Sequence, residues 1–155
     1  MPEIAKEDKK GKLSSGRIGL YHASQEDFFS NIKLLDAYRR PEIVRITKGY
    51  FNETLPIAKI EKISFLRLDG DLFISTWDAL TNLYDKVIKG GYIYIDDYDS
   101  FNGCKGAVDR FRKERKIHDP MVQITEGKRK DQKMKREYEA VWWKKSTDRL
   151  SRQLL

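Results

Sequence analysis

Four aspartates in two short groups are the residues of this 155-residue chain best suited to chemistry. They are Asp69 and Asp71 in Leu68-Asp69-Gly70-Asp71, and Asp96 and Asp97 in Ile95-Asp96-Asp97-Tyr98. Each group follows an apolar run, Ile63 to Leu68 for the first and Tyr92 to Ile95 for the second. Carboxylates gathered at neighbouring strand ends repel one another, and the grouping is tolerable when a cation or another positive group sits between them. No His or Cys accompanies these acids, so a fitting cation is a hard, oxygen-preferring one such as magnesium. The alternative is a pair of solvated strand ends, because Asp is common in turns. Spacing alone leaves both readings open.

Hydrophobic periodicity indicates which elements would position the acids. Ile63 to Asp69 predicts a strand, and Trp77, Leu80, Leu83, Tyr84, Val87 and Ile88 make the apolar stripe of a helix over about 75–89. Ser75 is its expected N-cap and Gly90-Gly91 its expected stop. Tyr92 to Ile95 is apolar at every position, as in a strand covered by helices on both faces. A right-handed crossover through the intervening helix makes the two strands parallel and sets Asp69 beside Asp96 and Asp97. Open sheets of this kind bind ligands beyond the carboxyl ends of their strands.

The flanking segments extend the pattern. Ser24 and Asp27 have capping-box spacing, and Phe28, Ile32 and Leu35 predict a helix over about 24–38. Val44-Arg45-Ile46-Thr47 alternates like a half-buried strand. A further helix is expected from about 103 to 115, with Asn102 as its cap, followed by an antiparallel pair from Met121–Thr125 and Tyr138–Lys144. The result is an α/β domain over 19–145, after a polar leader at 1–18 and before a tail at 146–155.

Composition narrows the function class. One cysteine, Cys104, cannot form an intrachain disulfide, and no apolar run approaches the length of a membrane span. A soluble, cytoplasmic protein without a membrane partner is the default expectation. The mean hydropathy is −0.69 and the net charge +7, from 31 basic and 24 acidic residues. Six of the basic residues crowd into Lys128, Arg129, Lys130, Lys133, Lys135 and Arg136 without interleaved aromatic residues, which argues against base stacking and a nucleic-acid partner. The stretch reads first as a solvated loop; the second reading of the chain uses it as a non-catalytic binding module contacting nucleic acid or an acidic partner through 128–136.

Several motifs, in order, resemble one family. Val44 to Pro56, with Lys48-Gly49-Tyr50-Phe51 at its centre, is similar to the segment that leads to the adenosine pocket of macrocin O-methyltransferases, which are class I S-adenosylmethionine-dependent enzymes. Phe65-Leu66-Arg67-Leu68-Asp69-Gly70-Asp71 through Thr76 resembles the family's signature strand and turn, and Gly90 through Tyr98 resembles the next. Gly103 to Asp109 and Val141-Trp142-Trp143-Lys144-Lys145 continue the order, so the likeness spans roughly residues 42 to 145. Motifs in sequence with natural gaps are more specific than any one alone.

The resemblance implies a Rossmann-like methyltransferase sheet and a magnesium ion held by Asp69, Asp96 and Asp97. It implies a donor-binding wall at Gly49, Tyr50 and Phe51, and a hydroxyl of a sugar or other small molecule as substrate. Asp69, through an oxygen free of the metal, is the expected general base; the glycine before Asp71 suggests a turn that points Asp71 elsewhere. Catechol-type relatives use a lysine three positions after the first metal aspartate, and here that position is Leu72. The family's sheet order, 3-2-1-4-5-7-6, also exposes a gap, because no apolar strand followed by a glycine-rich donor loop occurs here. Strands 1 and 2 would be absent, leaving the strand at 44–48 as strand 3 without its neighbours. The chain is then a fragment of a longer protein, a non-catalytic remnant, or a subunit that pairs with a partner chain supplying the missing half.

Overall fold

Two parallel strands joined by a helix, with a hairpin closing against the second, organise the chain. The computed structural model describes residues 24–32, 43–124 and 140–147. The expected leader at 1–18, the basic stretch 128–136 and most of the tail lie outside the described residues. Strands β1 (Ile63–Leu68), β2 (Val87–Ile95), β3 (Val122–Ile124) and β4 (Ala140–Lys144) form one open sheet in the order β1-β2-β4-β3. β1 and β2 are parallel, and β4 runs antiparallel to both β2 and β3. The helices are α1 (Gln25–Ile32), the short α2 (Phe51–Thr54), α3 (Phe73–Leu83) and α4 (Asn102–Glu114). No helix among the described residues is long and apolar enough to cross a membrane.

The period-two alternation of strand side chains divides the sheet into two faces. Leu66, Leu68, Ile93, Ile95, Val141 and Trp143 lie on one face and are buried in a single cluster with residues of α3 and α4, among them Leu80, Val108 and Phe111. Each large side chain fully removed from water contributes roughly 1.5–3 kcal/mol, so this layer supplies most of the hydrophobic driving force. Trp77 packs on the rim of the cluster, stacked on Phe73 and edge-on to Phe111. The other face carries Phe65, Arg67, Tyr92, Tyr94 and Trp142, paired as Phe65–Tyr94 and Tyr92–Trp142 at centroid distances of 6.4 and 5.7 Å. Tyr92 of β2 and the neighbouring Phe65 are 40% and 58% exposed, so among the described residues β2 is covered on one face rather than the two its apolar run predicts.

Local chemistry accounts for the element ends and for the departures from expectation. The capping box at α1 is formed: Ser24 and Asp27 exchange bonds, Asp27 N–H to Ser24 Oγ at 3.0 Å and Ser24 N–H to Asp27 Oδ2 at 2.9 Å. α3, by contrast, begins before Ser75, at an N-cap of Leu72 with no side-chain cap, because the Gly70-Asp71 turn already directs the backbone into the helix. It also ends earlier than the apolar stripe suggests. After a 3-10 turn at Tyr84–Lys86, Val87 and Ile88 leave the helix and open β2.

Gly90-Gly91 therefore lies inside a strand, at a bulge where one residue of β1, Ser64, stands against four of β2 between the paired rungs. Gly90 has φ +84°, and a Cβ on Gly91 would come within 2.8 Å of Val87 Cγ1 and 3.0 Å of Ser64 O. Both glycines are needed for the bulge, not for a helix stop. Residues 44–48 form no strand, and Ile46 is exposed. An extended segment needs a hydrogen-bonded neighbour to become a strand, and none pairs with it among the described residues. α4 and the antiparallel β3–β4 pair follow the expected pattern, although α4 is capped by backbone rather than by the Asn102 side chain.

Candidate metal centre

The parallel register places the acids. Leu68 and Ile95 are cross-strand partners at the last positions of β1 and β2, and Asp96 N–H donates to Leu68 O at 2.9 Å just beyond them. Asp69 and the pair Asp96-Asp97 thus leave adjacent strand ends side by side. One oxygen from each of Asp69, Asp96 and Asp97 can be chosen so that all three lie within 4.8 Å of one another. Asp69 is exposed, whereas Asp96 and Asp97 are half-buried.

Two groups respond to this crowding of negative charge. Arg67 donates from Nη1 to Asp69 Oδ2 at 2.8 Å and from Nη2 to Asp96 Oδ2 at 2.9 Å. Partial burial lowers its pKa, but the bonds and charges of the two aspartates outweigh that and leave it raised. Asp97 has no such partner. Burial, then a hydrogen bond with Asp71 and the charges of Asp71, Asp69 and Asp96, push its carboxyl up to about 7. Its Oδ2 is buried and has no hydrogen-bond partner among the described residues. A buried carboxylate oxygen without a donor, facing other carboxylates, is a natural ligand position for a cation. The all-oxygen donor set suits magnesium or calcium rather than a softer metal.

Asp71 is where the geometry departs from expectation. Gly70 does turn the chain, but Asp71 takes a left-handed backbone, φ +52°, that brings its carboxyl back against Asp97. Asp-Gly-Asp is compatible with either direction, since Asp tolerates the left-handed region better than most residues, and the sequence holds no further signal. Cys104 lies beneath the cluster in the core, where burial and the neighbouring carboxylates outweigh the influence of the nearby Thr76 hydroxyl and push its thiol up to about 12. It offers neither a thiolate ligand nor a nucleophile. His118 is exposed in the turn after α4 and is not among the cluster's residues.

The expected donor-binding residues sit on a different element. Gly49 precedes α2 with φ +145°, and a Cβ there would fall 2.6 Å from Thr54 Cγ2, so only glycine fits. Tyr50 caps α2 and Phe51 begins it, at 56% and 41% exposure, with Leu55 just beyond packed against the core. The two rings are open to solvent and available to a flat ligand, and no ligand-forming geometry joins them to the aspartates.

Comparison with known proteins identifies the family of the chain. The sequence profile of the macrocin O-methyltransferase (TylF) family matches residues 3–144. The chain is 49% identical over 96 residues to the demethyldecarbamoylnovobiocin O-methyltransferase of Streptomyces niveus, a match covering 62% of this chain and 35% of that protein. It is 34% identical over 118 residues to the mycinamicin III 3''-O-methyltransferase of Micromonospora griseorubida, covering 76% of this chain and 39% of the relative. The chain therefore spans little more than a third of the length of these relatives. Among solved structures, the O-methyltransferase NovP superimposes with a TM-score of 0.69 at 38% identity, over 81% of this chain and 46% of NovP. The calicheamicin methyltransferase CalS11 shares the fold at 19% identity, with a TM-score of 0.61 over 93% of this chain and 56% of CalS11. By the family match across nearly its whole length, the chain belongs to the macrocin O-methyltransferase (TylF) family.

Proposed function

We propose that this chain is the metal-binding, acceptor-orienting part of an S-adenosylmethionine-dependent O-methyltransferase that modifies a hydroxyl of a sugar or other small molecule. The observation that carries the reading is the convergence of Asp69, Asp96 and Asp97 at adjacent strand ends within 4.8 Å, in a chain of this family. The named relatives are O-methyltransferases of demethyldecarbamoylnovobiocin and of mycinamicin III, the second acting at a 3'' position. These three aspartates would hold magnesium, which when bound would lower the pKa of a hydroxyl and fix its oxygen for attack.

The remaining work falls to the chain's own residues. Asp69, at the exposed side of the cluster, would accept the hydroxyl proton as the acceptor oxygen takes the methyl group and the donor's sulfonium gives it up. Gly49, Tyr50 and Phe51 supply one wall for the donor's adenine, the glycine by admitting close backbone approach. That wall is incomplete without the glycine-rich loop and the ribose-holding acid that the family resemblance implies. Methyl transfer accordingly requires a longer protein or a partner chain that carries them, and in equilibrium dialysis this 155-residue chain should not retain S-adenosylmethionine. Tight retention would show that the donor pocket is built differently.

Isothermal titration with magnesium tests the metal assignment. The folded chain should bind it, and a variant carrying Asp96→Ala and Asp97→Ala should not. Indistinguishable heats from the two folded proteins would remove the assignment.

A further inference from the structure

Asp69 and Asp96 share one guanidinium. Arg67 reaches Asp69 with Nη1 and Asp96 with Nη2, at 2.8 and 2.9 Å, so a single planar fork spans two of the three carboxylates proposed to hold the metal. Strand geometry aims it there. Arg67 lies on the open face of β1, directly opposite Tyr94 on β2, and its Cζ stands 5.9 Å from the centre of the Tyr94 ring. The side chain is 49% exposed and can swing into solvent without repacking the core.

The charges around this fork are unevenly served. Asp97 makes no ion pair with Arg67, and its buried Oδ2 is left without a hydrogen-bond partner among the described residues. Magnesium with oxygen ligands at about 2.1 Å sets neighbouring oxygens about 3.0 Å apart and opposite ones about 4.2 Å apart. The cluster's oxygens lie within 4.8 Å of one another, close enough that small side-chain movements would bring them to those spacings.

Building on the metal reading above, we propose that Arg67 is an internal counter-cation, which holds Asp69 and Asp96 together in the ion-free protein and is released when a divalent cation takes the cluster. Two consequences follow from charge alone. The carboxylates stay gathered without an ion, so little reorganisation is needed when one arrives. The ion must in turn break two ion pairs and displace a like charge, so Arg67 lowers the affinity while preserving the geometry.

The test compares the full chain with R67Q, R67K and the Asp96→Ala plus Asp97→Ala variant, using magnesium titration by calorimetry and thermal melts with and without the ion. Both ion pairs are partly exposed, and their loss is expected to tighten magnesium binding about threefold to tenfold in R67Q. R67K keeps a charge but not the fork, so its affinity should fall between. R67Q should melt below the native chain without magnesium, and the gap should narrow at saturating magnesium, which a merely structural role for Arg67 would not produce. If the native chain binds through Asp96 and Asp97 and R67Q binds no tighter, the counter-cation role is overturned while the metal reading stands. If neither the native chain nor R67Q binds magnesium, both are overturned. Should R67Q not fold even with magnesium, R67K decides, and an unchanged affinity there overturns the proposal.

Discussion

Trp142 and Trp143 are neighbours in sequence and end in opposite surroundings. Trp143 is fully buried among the side chains under α3 and α4, whereas Trp142 lies half-buried on the bare face beside Tyr92 and Tyr94. The covered face is aliphatic apart from Trp143 and the other aromatic apart from Arg67, yet both carry mostly apolar side chains. What distinguishes them is the supply of covering elements. Two helices pack on one face, and no described helix packs closely on the other. An apolar strand position is therefore a statement about what the strand can bury, and the rest of the chain decides whether it does.

The largest effect expected from this contrast is Trp143→Ala. Removing a fully buried indole should cost about 3–5 kcal/mol in urea denaturation, enough to unfold a small domain. Cys104 sharpens the same point chemically. Its thiol, pushed from 9.0 to about 12, leaves roughly a thousandth of the ordinary thiolate at a given pH. Iodoacetamide at pH 8 should label it only after denaturation, and rapid labelling of the native chain would mean that α4 does not seal the covered face. The smallest effect belongs to Trp142→Ser, expected at about 1–2 kcal/mol because part of the side chain is already exposed. A loss equal to that of Trp143→Ala would break the comparison, for it would require the bare face to be covered in solution by another chain.

The parts of the fold that could be read from sequence are those governed by local pattern. β1, α4, the antiparallel pair and the capping box at Ser24 and Asp27 each rest on short-range periodicity or on a side chain within reach of its own backbone. The acidic cluster was legible for a related reason: two aspartate groups one crossover apart must meet if the strands are parallel. The failures share a different cause. Val87 and Ile88 fit a helical stripe and a strand equally well, and only pairing with β1 selects the strand. Residues 44–48 carry strand chemistry without a neighbour to pair with. Asp71 depends on a left-handed backbone that its residue type permits but does not demand. Arg67 went unremarked because its role depends on two carboxylates from different strands, which no window of sequence contains.

The bulge at Gly90-Gly91 gives the sheet a division of tolerance. From Phe65 opposite Tyr92 to Leu68 opposite Ile95 the strands advance in step, and these four rungs set the distance between Asp69 and Asp96. Behind them the bulge takes up slack, so the far end of β2 can absorb a change in length that the near end cannot. A residue inserted between Tyr92 and Ile95 would turn Ile95 outward and carry Asp96 away from Asp69. The same insertion between Ile88 and Gly90 falls where the strands are already out of step, and the jaw of aspartates keeps its gauge.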